Sequence, residues 1–139
     1  QPLWKGGEVL APHAALTPAL EAALSGAHSA GQIVRGLKGA QNALATEQRG
    51  LQNVDSKTGV TRGQRVSRLL LLADDGAERF YREVESLVRR HEPRVLTLRL
   101  SADEHRLGNL LFGPDQVARL LLVEHKNSVS AVLLALVAR

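Results

Sequence analysis

Apolar positions along this chain recur in blocks whose period changes, and the changes mark its elements. Residues 17–31 carry Leu20, Ala23 and Leu24 at helical spacing. Thr17 stands as N-cap, Pro18 fills the first helical position and Gly31 closes the segment. Residues 32–35 predict a short strand. Residues 37–49 predict a second helix with Leu37, Ala40 and Leu44 on one face and Gly50 as its stop. Residues 51–65 show no period and are rich in Asn, Ser, Thr, Gly and charge, which predicts a long exposed loop.

The unbroken run around Leu69-Leu70-Leu71-Leu72, within residues 66–73, fits a strand buried on both faces. After Asp74-Asp75-Gly76 a helix over 77–90 points Phe80, Val84, Leu87 and Val88 one way and its arginines elsewhere. Residues 94–100 alternate, with Leu96, Leu98 and Leu100 opposite Val95, Thr97 and Arg99. Ser101 and Glu104 read as a capping box for a helix ending near Phe112. Gly113-Pro114-Asp115 turns the chain into a strand over 117–123, and residues 128–137 form a last helix. The alternation of helix and strand predicts an α/β fold, a three-layer α-β-α sandwich around a central four-stranded mixed sheet. Its core is expected to include Leu70, Leu72, Leu96, Leu98, Leu120 and Leu122. Residues 1–14, mixing Pro, Gly and charge around Trp4, read as an extended arm ahead of a single domain over 15–139.

Composition narrows the chemistry. The 139 residues suffice for one domain with a real core. The chain has no cysteine, which excludes disulfides, thiolate metal sites and cysteine nucleophiles. The longest apolar run, over 129–138, is too short to span a bilayer. Lys and Arg total 18 against 14 Asp and Glu, and only four of the bases, at 5, 38, 57 and 126, are lysine. Arginine's planar fork suits phosphate and ion-pair geometry, although a coding bias towards Arg, Ala and Leu gives the same counts. Only Trp4, Phe80, Tyr81 and Phe112 are aromatic. An RNA-binding protein so poor in stacking platforms is expected to read shape and phosphate.

The second helix is the first candidate site. Arg35-Gly36-Leu37-Lys38-Gly39-Ala40-Gln41-Asn42 joins a helix N-terminus, two glycines, two cations and two amides. Free N–H groups and the positive end of the helix dipole favour phosphate there. An ordinary Gly-rich turn into a helix is the alternative. Lys57, Arg62 and Arg65 of the expected loop make it a second basic element, placed beside the first.

These residues also carry a resemblance. Lys38-Gly39-Ala40-Gln41-Asn42 with Arg49-Gly50, then Leu69-Leu70-Leu71-Leu72-Ala73-Asp74, then Leu107-Gly108 and Gly113, are similar to landmarks of the kink-turn-binding ribosomal protein superfamily. The likeness is to its L-seven-Ae and L-thirty-e type and runs from about residue 30 to the end. In one register Gln41 and Asn42 stand at the family's Asn-Glu pair and Ala45 at its Lys. In another Gly36 takes the family Gly, Lys38 and Gly39 the Asn-Glu pair and Asn42 the Lys. Neither register keeps the full set that reads a kink-turn.

The resemblance implies a non-catalytic RNA-binding subunit of a ribonucleoprotein, with ribosomal RNA favoured and neighbouring proteins as further partners. It also implies that Gly113 and Pro114 form the far wall of the site. Two alternatives share the fold: a ribonuclease P-type protein subunit, and the substrate-recognition domain of an RNA ribose methyltransferase. Residues 116–139 leave no room for a knotted catalytic domain.

No enzyme set emerges from the residues, and no cofactor, membrane or small-molecule substrate is expected. Asp74-Asp75 at a strand end is the pattern of an Mg²⁺ site, yet no third acid falls at another strand end, and a strand terminus followed by a helix start explains the pair. The histidines at 13, 28, 91, 105 and 125 show no ligand spacing. Ser101, Ser128 and Ser130 lack a nucleophile elbow. An Arg-rich chain opening at Gln1 without Met fits an imported protein freed of its leader, favouring mitochondrion over cytoplasm or nucleus. A boundary chosen for other reasons gives the same facts.

Overall fold

The computed structural model describes residues 2–58, 66–92 and 94–137. The elements run β1 (His13–Ala14), α1 (Pro18–Ser29), β2 (Ile33–Arg35), α2 (Leu37–Thr58), β3 (Arg68–Leu72), α3 (Glu78–His91), β4 (Val95–Leu100), α4 (Glu104–Phe112), β5 (Leu120–Val123) and α5 (Lys126–Val137). The fold is α/β, with one mixed sheet in the order β1-β4-β3-β5-β2. The pairs β1–β4 and β3–β4 are parallel, whereas β5 runs antiparallel to both β3 and β2.

The sheet has five strands, not the expected four. The added strand, β1, has two residues, too few to show any alternation. Its partners fix it: the Arg99 amide donates to Pro12 (3.0 Å) and the Ser101 amide to Ala14 (2.9 Å). Because β1 covers only Arg99 and Leu100, the start of β4 stays an open edge. Leu96 there is accordingly half-buried rather than core.

Period two sorts the strand residues between two apolar clusters. Leu69, Leu71, Leu98, Leu100, Leu121 and Val123 face α1, α4 and α5. Leu70, Leu72, Val95, Leu120 and Leu122 face α2 and α3. Helices therefore cover both faces, and the leucine runs of β3 and β5 are buried completely.

Two helix boundaries differ from expectation. Helix α2 passes through Gly50 and continues to Thr58, so residues 51–58 are helical rather than loop. Glycine inside an exposed helix costs only about 1 kcal/mol against alanine. Just before it, Glu47 accepts from Arg68 at 3.0 Å and also pairs with Arg94, and Gln48 accepts from Arg94 at 2.8 Å. These contacts hold the middle of α2 to β3 and to the turn before β4. Helix α4 is capped by Asp103, whose carboxylate accepts from the Arg106 amide at 2.8 Å, and not by Ser101. Asp75 accepts from the Glu104 amide (3.1 Å), so the acid after β3 serves the start of α4.

Residues 2–14 are not an extended arm. The chain folds back through a turn at Trp4–Gly7, where the Gly7 amide donates to Trp4 (2.9 Å). Pro2 thereby bridges Leu10, the Leu3 amide donates to Val9 (3.2 Å), and the folded segment is docked. Leu3, Val9 and Ala11 are buried in the α2–α3 cluster. The buried carboxylate of Glu85 accepts from the amides of Glu8 and Val9, each at 2.9 Å. Arg99 donates to the Leu3 carbonyl (3.1 Å) and lies over the Tyr81 ring.

His91 ends α3 as a buried residue whose Nδ1 has no partner. Burial, seconded by Arg94 and Arg90 against the opposing pull of Glu47, holds its pKa below the ordinary 6.5. The protonated form of His91 is thus disfavoured, despite the dipole. The unfolded chain takes up a proton near 6.5 that the folded chain refuses, so stability is full above that pH. It falls as pH drops from 6.5 towards the folded-state value and levels off below it. His91→Gln is expected to flatten this fall, measured as the urea midpoint from pH 7 downwards. Equal falls in both proteins would show that another group is responsible.

Candidate nucleic-acid interface

One end of the sheet gathers the carboxyl ends of β2, β3 and β4 and the amino end of β5. Arg35 pairs with Leu121 there, and Leu72 with both Leu120 and Arg99. Helices α1, α2, α3 and α4 all start from this end, and their dipoles add positive potential to it. Acids in the first turn offset three of them: Glu21 in α1, Glu78 in α3 and Glu104 in α4. Helix α2 has no acid in its first turn.

The residue before α2 is Gly36, at φ +88°, a conformation that side chains disfavour. Its amide donates to Leu120 (2.9 Å), joining the turn to β5, and its carbonyl accepts from Ala40 at 3.1 Å. With glycine at this position no side chain caps the helix. Leu37, Lys38 and Gly39 therefore present amides that lie ahead of the helical ladder.

A cleft of about 420 Å³ opens beside this turn, lined by Arg35, Gly36, Leu37, Phe80, Glu104, Val117, Ala118, Arg119 and Leu120. Arg119 pairs with Glu104. The wall opposite α2 is the segment after α4, where Gly113 (φ 104°) and Asp115 (φ 64°) form a tight turn closed by a bond from the Gln116 amide to Gly113. Arg35 ties this wall to β2. Its guanidinium lies 4.5 Å from the centre of the Phe112 ring and donates to the Val117 carbonyl and the Gln116 side chain.

The expected site residues divide accordingly. Arg35 and Gly36 line the cleft, with Gly113 and exposed Pro114 at the same end of the sheet. Lys38 and Gln41 line a second groove, of about 540 Å³, against Glu83, Ser86, Leu87 and Arg90 of α3. Leu37 belongs to both concavities. Asn42 is exposed and lines neither. Gly39 does not face an approaching ligand. A Cβ on it would stand 2.9 Å from Val34 Cγ1, so its smallness serves the packing of α2 on β2. A bulky residue at Gly39 would consequently disturb the fold.

Lys57 is not beside the others. It lies nineteen residues after Lys38 on the same helix, roughly 28 Å away at 1.5 Å per residue. Arg62 and Arg65 lie outside the described residues. Sequence reasoning missed Arg119, Glu104 and Phe80 as cleft residues. They sit 43 or more residues after Leu37, at the start of α2, and only the strand order joins them to it. Several arginines also have structural work: Arg35, Arg82 and Arg99 stack on aromatic rings, and Arg68 and Arg94 share Glu47.

No family model matches the chain, and no curated protein matches it. Among solved structures it is similar to that of a protein with unknown function from Bacillus halodurans. The two share 14% identity at a TM-score of 0.54, over 86% of this chain and 96% of that one. This likeness concerns the fold alone.

Proposed function

We propose that the chain is a non-catalytic RNA-binding module that docks the phosphate backbone of structured RNA, ribosomal RNA above all, on the amino-terminal turn of α2. One observation carries the reading. Among the four helices starting at this end of the sheet, α2 alone lacks a first-turn acid, and its amides open between Arg35, Lys38 and Arg119. A phosphate is favoured where N–H groups, dipole and cations converge. In this reading Gly113 and Pro114, whose turn leads into the cleft residues Val117 and Ala118, stand near the site as the family resemblance implies.

The cleft and the α3 groove meet at Leu37, which gives a duplex or folded strand a continuous track past Lys38 to Arg90. Arg35 holds the far wall in place, and Lys38 supplies the direct phosphate contact. Low aromatic content agrees with recognition of shape rather than of stacked bases.

The test is the salt dependence of binding to a folded ribosomal RNA fragment. Lys38→Ala is expected to weaken binding and to reduce the slope of log affinity against log salt by about one. Arg89→Ala is the control. Arg89 lines neither the cleft nor the α3 groove and pairs at 3.4 Å with exposed Glu8. Its removal is expected to change affinity little. Equal losses in the two variants would mean that diffuse charge, not this site, holds the RNA.

A further inference from the structure

The hairpin formed by residues 2–10 is joined to the cleft by one line of directional contacts. At its start the Arg99 guanidinium donates to the Leu3 carbonyl at 3.1 Å. The same guanidinium lies 4.2 Å from the centre of the Tyr81 ring. The Tyr81 hydroxyl in turn donates to the Ala73 carbonyl (2.7 Å) and accepts from the Gly76 amide (3.0 Å). Ala73 ends the line at the cleft, because its amide donates to the carbonyl of Arg119 at 2.8 Å. Phe80, also a cleft residue, packs edge-on against Tyr81 with ring centres 5.2 Å apart. Space between them is tight: a Cβ on Gly76 would stand 2.8 Å from Phe80 and 3.0 Å from Tyr81. A shift of Tyr81 is therefore passed on to Phe80 as well.

The hairpin is held in a way that lets it leave. Its one bridge, between Pro2 and Leu10, is internal, and only the β1 residues that follow pair with the sheet. Its anchors are buried Leu3 and Val9 and the two amides held by Glu85. Against them stand two buried donors without a partner, Trp4 Nε1 in the hairpin and Arg99 Nε beneath it. Both regain water when the hairpin lifts, so docking is opposed by their desolvation. A segment held by few contacts opens without the rest of the domain.

We propose that docking of this hairpin regulates the cleft. Docked, it holds Arg99 against Tyr81 and so keeps the end of β3 fixed to Arg119. Lifted, it frees Arg99, and the Tyr81 hydroxyl loses its hold on Ala73 and Gly76. Two sites are then coupled through a single element with two positions, which is what allosteric control requires. The coupling does not depend on what the cleft binds, and its test uses no RNA.

Two signals read the two ends separately in the whole chain. Trp4 is the single tryptophan, so its emission reports docking. Exchange of the Ala73 amide reports the cleft, with the Gly36 amide, which donates to Leu120, as a cleft control off the line. Leu3→Gly combined with Glu85→Ala removes anchor and clamp together. Trp4 emission is expected to move to longer wavelength and Ala73 exchange to rise about tenfold, with Gly36 exchange unchanged. Tyr81→Phe keeps the ring and cuts the line at the hydroxyl. In that background the double variant is expected to move Trp4 emission as before and to leave Ala73 exchange where Tyr81→Phe alone puts it. Arg99→Met cuts one link earlier and is expected to give the same result. The proposal is overturned if the double variant leaves Trp4 emission in place, or if emission moves while Ala73 exchange does not. A rise in Ala73 exchange that is undiminished by both cuts, or that Gly36 shares, overturns it too.

Discussion

Gly108→Ala is expected to destabilise the fold by about 3 kcal/mol, lowering the thermal midpoint by roughly 10 °C in a chain of this size. A Cβ at Gly108 would stand 2.2 Å from the Gln116 carbonyl oxygen, 2.4 Å from its carbon and 2.5 Å from Val117 Cα. These are backbone atoms, so no rotamer change relieves the clash. Either α4 or the segment after it must move. Movement strains the bond from the Ala118 amide to the Glu104 carbonyl (2.8 Å) and the hold of Arg35 on Val117. The same substitution should therefore loosen the cleft wall. Gly26→Ala is the matched control. Gly26 is an exposed residue within α1 with nothing near its missing Cβ, and alanine there is expected to leave the midpoint unchanged or raise it slightly. Equal effects at the two positions would show that close backbone approach at Gly108 is not what matters.

Glu85→Ala is expected to release residues 2–14 and to reduce stability by about 2–4 kcal/mol. Glu85 is 8% exposed and its carboxylate receives two backbone amides at 2.9 Å. Hydrogen bonds to a charged group contribute about 1.5–3 kcal/mol, and the stranded amides add a desolvation cost. With the clamp gone, Leu3 keeps the Arg99 bond to its carbonyl, and Leu3, Val9 and Ala11 keep their apolar contacts. Hydrogen exchange provides the readout: the amides of Glu8 and Val9 should lose protection while those of β3 and β5 retain theirs. Unchanged protection at Glu8 and Val9 would show that apolar packing and the Arg99 bond to Leu3 suffice to dock the arm.

The parts of the fold legible from sequence are those whose signal is local. Leu69 to Leu72 announces a strand covered on both faces because four leucines in a row have no polar side to turn outwards. Thr17-Pro18 marks the start of α1 because cap and first-turn chemistry lie in adjacent residues, and the Leu20 amide does donate to the Thr17 hydroxyl (3.2 Å). What was not legible depends on distant partners. The middle of α2 is held at Glu47 by Arg68 and Arg94, 21 and 47 residues later, and the helix runs on past Gly50 to Thr58. The strand at His13–Ala14 exists because β4 offers an unpaired edge some 85 residues later. Docking of the arm draws on Glu85 and Arg99, whose partners at Leu3, Glu8 and Val9 lie 76 to 96 residues earlier in the chain. The candidate site divides in the same way. The Arg35–Asn42 segment is visible as glycines and cations at a helix start. Yet the inward-facing role of Gly39 and the membership of Arg119 and Phe80 follow only from the strand order.

The central claim is that the α2 amino terminus receives RNA phosphate, and an amide NMR titration with a folded RNA at low salt tests it most directly. Phosphate contacts are independent of base sequence, so at low salt any compact RNA serves as the probe. The account predicts saturable shifts centred on the amides of Leu37, Lys38 and Gly39. Smaller shifts should appear at Arg119 and along the α3 groove, the α1–α5 face should stay silent, and all shifts should disappear as salt rises. A titration without saturable shifts at Leu37, Lys38 and Gly39, or with its largest shifts elsewhere on the chain, would contradict it.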